Sequence, residues 1–340
     1  TGPRQPPPGP PARPHVDSDG PGRPAQPRLR RRGRRRLALL LVAALVLAWP
    51  LGLVLWADSR LERVDALTDS PSGPATVYLL AGSDVRDGEI VRQDSTEGER
   101  TDTIMLLIVP PSGPAALLSL PRDSYTQIPG HGPHKLNSAY AWGGAPLLVS
   151  SVEGLTGLTV DHYVEIGFDG VAGVVEAVGG VELCLDYDVD DVKSKLEWEA
   201  GCHESDGTTA LAFVRMRYSD PEGDIGRGAR QQQLIQSLTR EVADPLTLVN
   251  PLEQMRLARA GSDALSVSEQ TRIWHLGGLA LGFRSATGPE GITGTPWISH
   301  PDYRPGGVGS TVLLDEERNR QLFADLLAGD VPAGEVGGLP

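Results

Sequence analysis

The residues best equipped for chemistry lie in LAFVRMRYSDPEGDIGRGARQQQL, residues 211–234, where Arg215, Arg217, Arg227 and Arg230 are clustered. Guanidinium forks match phosphate oxygens two at a time. Alternating apolar and polar residues predict an extended Phe213–Tyr218 segment, with Arg215 and Arg217 on one side. Asp220-Pro221-Glu222-Gly223 predicts a turn, Asp224 a cap, and Ala229–Val242 a helix whose first-turn face carries Arg227, Arg230 and Gln231. The expectation is a clamp for a polyanion; the competing reading is a solvated charged loop. Two aspartates could add a hard cation. Asp84 follows one apolar run and Asp102 opens the next, so if those runs are neighbouring strands, the carboxylates can share Mg²⁺ at one sheet end. The alternative is that each caps a turn. Arg122, in Pro121-Arg122-Asp123-Ser124, sits where a third strand ends, with Lys135 and Asn137 downstream. His131 and His134 have a ligand-like spacing, but a Gly-Pro turn separates them and no third ligand is near, which argues against zinc. His162 and Tyr163 open a strand and read as structural. No G-x-S-x-G, H-E-x-x-H or G-x-x-x-x-G-K motif is present.

The elements that must position these groups are short. Ala75–Leu80, Thr103–Val109, Ala115–Leu120, His162–Ile166 and Val181–Leu185 read as buried strands, and Thr311–Leu314 as another. Ala145–Leu155, Asp169–Val178, Leu246–Ala260, Glu269–Leu281 and Glu316–Leu327 read as helices. Strands mixed with helices predict an α/β domain, residues 75–330, with helices on both sheet faces. Residues 331–340 read as a tail. Before the domain, residues 1–36 form a Pro- and Arg-rich arm expected to be disordered. Leu37–Ala57 has no charge and is long enough for one transmembrane helix, and residues 58–74 read as a polar linker. The arm carries a net +8 and the remainder −21, together the chain's −13. Arginines before the span place the N-terminus in the cytoplasm and the domain outside. An acidic domain is ill suited to nucleic acid. Outside the membrane, Cys184 and Cys202 are expected to form a disulfide, the alternative being two buried free thiols.

Taken in order, GSDVR at 82–86, RTDTIML at 100–106, LSLPRDSY at 118–125 and KLNSAYAWGG at 135–144 resemble the LytR-CpsA-Psr (LCP) family of cell-envelope phosphotransferases. The resemblance continues through LTGLTVDHYVEIGFDGVAGVVEAVGGVEL at 155–183 and DGTTALAFVRMRYSDPEGDIGRGARQQQ at 206–233. It implies a single-pass cell-membrane protein whose outer domain is an α-β-α sandwich with a central mixed sheet and an apolar groove for an isoprenoid tail. It also implies Mg²⁺-dependent transfer of a glycopolymer from a polyprenyl-pyrophosphate carrier to peptidoglycan, forming a phosphodiester. By motif matching, Asp84 and Asp102 are the metal ligands, and Arg122, Arg215, Arg217 and Arg227 hold the pyrophosphate, with Arg86, Lys135 and Gln231 in further matching motifs. Asp224 is placed to accept the hydroxyl proton or to orient Arg227, and Arg122 to act on the reacting phosphates. Ser205-Asp206-Gly207 departs from the family's usual Leu-Asp-Gly, and residues 88–99 make a long polar connection between the two aspartates. A hydrolase of polyprenyl pyrophosphate and a non-catalytic lipid-binding envelope scaffold are the alternatives.

Overall fold

A computed structural model of the chain describes residues 2, 37, 40, 48–83, 101–216, 219, 224–242 and 250–339, with the backbone alone at 102, 168, 169, 224–229, 232, 239 and 242. Two compact units, Thr1–Pro50 and Leu51–Pro340, divide it. Residues 37, 40 and 48–50 of the first unit are helical. Among the described residues no helix is long and apolar enough to cross a membrane. The arm at 1–36, apart from residue 2, and nine of the 21 residues of the span expected at 37–57 lie outside those residues.

The second unit is a mixed α/β domain. Its main sheet takes β1 (Glu62–Val64), β2 (Thr76–Ser83), β3 (Thr101–Val109), β4 (Ala116–Leu120), β7 (His162–Gly167), β12 (Leu265–Ser268), β13 (Ile292–Tyr303), β14 (Thr311–Leu314) and β15 (Gly334–Gly338). The order is β1-β12-β7-β2-β3-β4-β13-β14, with β15 also on β13. β2 runs antiparallel to β3 and β3 to β4, whereas β2 and β7 are parallel.

Both faces are apolar because alternate residues of the central strands point to opposite sides. Val77, Leu79 and Ala81 of β2 join Ile104, Leu106 and Ile108 of β3 against helices α2 (Asn137–Thr156) and α8 (Glu316–Ala328). Tyr78, Leu107 and Leu117 face the other way, toward Leu279 and Phe283 of α7 (Ile273–Ala286). Helices therefore cover both faces.

A second apolar cluster forms a smaller layer. It combines α3 (Phe168–Val178), α4 (Gly207–Arg215) and α5 (Asp224–Val242) with two hairpins, β8–β11 (Val181–Leu185 and Gly201–Ser205) and β9–β10 (Val189–Asp191 and Leu196–Trp198). Cys184 and Cys202 lie directly opposite in the first hairpin and are disulfide-bonded. A third hairpin, β5–β6 (Tyr125–Ile128 and Gly132–Lys135), precedes α2.

Segments read as appendages are partly built into the domain. Residues 51–60 form helix α1, and β1 follows within the supposed linker. Asp58 Oδ1 accepts from the Ile273 N–H at 2.8 Å, and Arg60 pairs with Asp263 at 2.7 Å, at the end of α6 (Pro251–Asp263). β15 likewise occupies the segment read as a tail. Local propensity missed both, because very short edge strands depend on the neighbour they pair with.

Candidate functional site

Chain direction gathers the site at one edge. Because β2, β4 and β7 run the same way and β3 runs against them, the ends of the first three and the start of β3 lie together. Ligand groups favour this end of open α/β sheets. The β2–β3 register shifts here: Gly82 pairs with Thr103 and Ser83 with Thr101, so Asp102 is the extra residue of a bulge. Bulges re-aim side chains and are common beside active sites. Ser83 Oγ and Thr101 Oγ1 are buried at the same place with no hydrogen-bond partner among the described residues. Asp84 and Arg86 lie outside the described residues, and only the backbone of Asp102 is described.

After β4 the chain makes a tight turn, with the Ser124 N–H donating to Pro121 O at 2.9 Å. The Asn137 N–H donates to Arg122 O at 3.0 Å, binding that turn to the start of α2. Asp123 ties the two cations together. Its Oδ1 accepts from Lys135 Nζ at 2.8 Å and its Oδ2 lies 3.8 Å from Arg122 Nε. Partly exposed pairs of this kind contribute little stability but fix where the cations stand. Sequence reasoning named Arg122 and Lys135 but missed this carboxylate, although it adjoins Arg122 in the chain.

The arginine-rich segment differs from its sequence reading. Phe213–Arg215 is helical rather than extended, because α4 starts at Gly207 behind the N-cap Asp206, whose carboxylate accepts from the Thr209 N–H at 2.7 Å. Ala210, Leu211, Phe213 and Val214 then bury one face at helical spacing. Arg215 ends α4, while Arg217 lies outside the described residues. Nor does α5 begin at Ala229: Asp224 is its first residue and Arg227 lies in its first turn, both described by backbone alone.

Arg230 has a role the sequence did not disclose. Only 4% exposed, it donates from Nε to Phe213 O at 2.9 Å and from Nη2 to Met216 O. It thereby caps carbonyls at the C-terminal end of α4, where a cation is also favoured by the helix dipole. Gln231, one residue on, points elsewhere: its Nε2 donates to Thr103 Oγ1 at 3.5 Å, bringing α5 onto the bulged end of β3.

Glu165 on β7 is the other residue that sequence reasoning passed over. It is 8% exposed and accepts 2.6 Å hydrogen bonds from both Tyr140 and Tyr163. Burial, and then the adjacent Glu165 charge, push the Tyr163 hydroxyl far above the usual phenol range. Tyr163 is therefore a fixed donor, in keeping with a structural role. His131 and His134 both pack on Trp142, with ring centroids 4.8 Å away, and among the described residues no cluster of His, Cys, Asp or Glu could hold a metal.

Fold and edge together define a mixed α/β domain that gathers cationic and hard-oxygen groups at the ends of its central strands. The LytR_cpsA_psr family model matches residues 57–263, and the chain belongs to that family. The probable cell wall biosynthesis protein LcpB of Corynebacterium glutamicum is 40% identical over 314 residues, covering 86% of this chain and 74% of LcpB. A polyisoprenyl-teichoic acid–peptidoglycan teichoic acid transferase, TagU of Bacillus cereus, is 37% identical over 187 residues, covering 55% of this chain and 58% of TagU. The solved LytR-Csp2A-Psr enzyme from Actinomyces oris is similar in fold, with a TM-score of 0.59 at 22% identity over 81% of this chain and 99% of that one.

Proposed function

We propose that this protein is a cell-wall transferase that moves a glycopolymer from a polyprenyl-pyrophosphate carrier to a peptidoglycan hydroxyl. The observation that supports this most is the meeting of the Arg122–Asp123–Lys135 group with the bulged start of β3 and the Gln231 side of α5. The names of LcpB and TagU, a cell-wall biosynthesis protein and a polyisoprenyl-linked polymer transferase, point the same way.

In this reading the acceptor oxygen forms a bond to the sugar-side phosphorus. The bond from that phosphorus to the bridging oxygen breaks, and polyprenyl monophosphate leaves. Arg122, Arg215, Arg217 and Arg227 hold the two phosphates, assisted by Arg86, Lys135 and Gln231, so charge gathering on the leaving group meets fixed donors. Asp224 takes the acceptor proton or orients Arg227. Asp84 and Asp102 would hold Mg²⁺, which when bound supplies positive charge against the diphosphate. The hydroxyls of Ser83 and Thr101, without a hydrogen-bond partner among the described residues, make this edge a hard-oxygen environment that fits such an ion. Partly buried Leu80, Met105, Val109, Leu279 and Phe283 have the chemistry to seat an isoprenoid tail. The apolar stretch 37–57 would anchor the chain with its domain outside the cell.

The test uses the full chain in lipid nanodiscs with a polyprenyl-pyrophosphate-linked oligosaccharide and soluble peptidoglycan strands, with products read by mass spectrometry. The expected product is a phosphodiester-linked conjugate, lost on chelation of divalent ions and reduced by about a hundredfold or more in Arg122→Ala. Asp224→Asn should change the pH profile of the rate; an unchanged profile at full rate removes the base role. Phosphoryl transfer to water alone, with acceptor present, would replace the transferase by a hydrolase.

A further inference from the structure

Trp142 is 44% exposed, although the helix that carries it buries Tyr140 and Ala145 on either side. The chain departs from helical geometry immediately after it, at Gly143 and Gly144, the latter with φ 61°. A Cβ on Gly143 would lie 2.7 Å from the Leu147 side chain. The kink thus depends on glycine and presents the indole at the surface. Two imidazoles support it. His131 stacks at an interplanar angle of 27° and His134 meets it at 58°. Ser138 Oγ lies 2.8 Å from His134 Nδ1 and holds that ring in place. Burial, and then the Lys135 charge, keep His134 below the ordinary imidazole range, so it is neutral at physiological pH.

This is a single aromatic platform with a polar rim. Among the described residues, Trp142 is the only exposed large hydrophobic of β5, β6 and α2. An apolar protein partner would be met by a wider patch. A sugar ring instead offers one face of C–H groups, to lie on an indole, and hydroxyls around its edge to reach polar neighbours. The platform stands on the hairpin that also carries Lys135, which is paired with Asp123 beside Arg122, although His134 and Lys135, as neighbours in β6, point to opposite sides of the strand.

We infer that Trp142, backed by His131 and His134, is a subsite for a pyranose ring of the glycan adjoining the phosphate-binding edge. This rests on the proposed transferase reading and names the part of its substrate held here. The sugar is either the carrier-proximal residue of the donor or a residue of the peptidoglycan acceptor.

Full-length wild type, Trp142→Ala, Trp142→Phe and His131→Ala in nanodiscs are compared for binding of three probes. These are undecaprenyl pyrophosphate, the same lipid bearing one N-acetylglucosamine, and soluble uncrosslinked peptidoglycan strands. Trp142→Ala should weaken one or both sugar-bearing probes by about tenfold while binding the sugar-free lipid as wild type does. His131→Ala should give a smaller loss, and Trp142→Phe should retain most of the affinity. Selective loss of the lipid-linked sugar assigns the platform to the donor, and selective loss of the strands assigns it to the acceptor. Unchanged binding of both sugar probes in Trp142→Ala and His131→Ala, with lipid binding intact, overturns the subsite alone. Failure of wild type to bind undecaprenyl pyrophosphate overturns the transferase reading and the subsite with it. If Trp142→Ala does not fold, as judged by its melting transition, equal affinity of His131→Ala and wild type for both sugar probes overturns the subsite.

Discussion

The main sheet and the smaller layer of α3–α5 and β8–β11 each bring groups to the same edge, but they hold their own parts in place differently. Around β2, β3 and β4, long apolar strands are buried on both faces, and their ladders, with the bulge that ends the β2–β3 one, determine where Asp102 and the turn bearing Arg122 fall. The smaller layer has a modest cluster around Phe213, Trp198 and Leu183, and two of its strands have only three residues each. There, covalent and polar ties assist the packing: the Cys184–Cys202 bridge, the Arg230 cap on α4, and Ser237 Oγ donating to Glu182 O at 2.7 Å. Even close packing is special, since a Cβ on Gly207 would lie 2.4 Å from Ala172 O. The comparison teaches that a core too small to order its own backbone needs specific cross-links, and that the arginine-bearing helices rest on that kind of support.

Four measurements break or sharpen this contrast. Arg230→Ala should have the largest effect, about 4 kcal/mol, because buried carbonyls lose their donors and a cavity opens. Hydrogen exchange should then quicken in α4 and α5 while β2–β4 keep their protection; equal loss in both regions would contradict the separation. Replacing Cys184 and Cys202 with Ser should cost about 3 kcal/mol in denaturant unfolding, again with exchange rising first in the smaller layer. On the sheet side, Tyr163→Phe leaves the Glu165 carboxylate with one tyrosine donor fewer and should cost about 2 kcal/mol by the same unfolding measurement. Disulfide reduction should not alter that increment if the two regions are independent.

Acid provides the smallest test. Burial, then the neighbouring His275, hold His162 down to about 4, against an opposing pull from Asp161. A depressed imidazole means that the unfolded chain binds the proton more readily. Stability from this group is complete above about pH 6.5, declines as pH falls, and is fully lost below about pH 4. Partial exposure limits the effect to about 1 kcal/mol. Unfolding free energies measured from pH 7 to 4 should show this decline in wild type and a flatter profile in His162→Gln.

Much of the fold was legible because its signals are local. Continuous apolar runs marked β2, β3, β4, β7 and β8, and Glu316–Leu327 marked α8 nearly to its ends. From Phe213 onward the α4 segment alternates apolar and polar residues like a strand, and this hides the helical spacing of Ala210, Leu211 and Val214. At the candidate site, Arg122 and Lys135 were visible as cations near strand ends. Their pairing through Asp123 was not, since it depends on a hairpin returning the chain beside the turn. Glu165 looked like an ordinary strand residue until Tyr140 arrived from α2.

By itself, then, the sequence determined the family, the alternation of strands and helices, and which residue types were available for phosphate, because composition and short-range spacing carry that information. Only the tertiary structure separated the clustered arginines into a buried helix cap at Arg230 and a partly exposed Arg215. It also put Gln231 against Thr103, residues far apart in the chain. Burial and chain direction decide such roles, and neither is a property of any residue taken with its sequence neighbours alone.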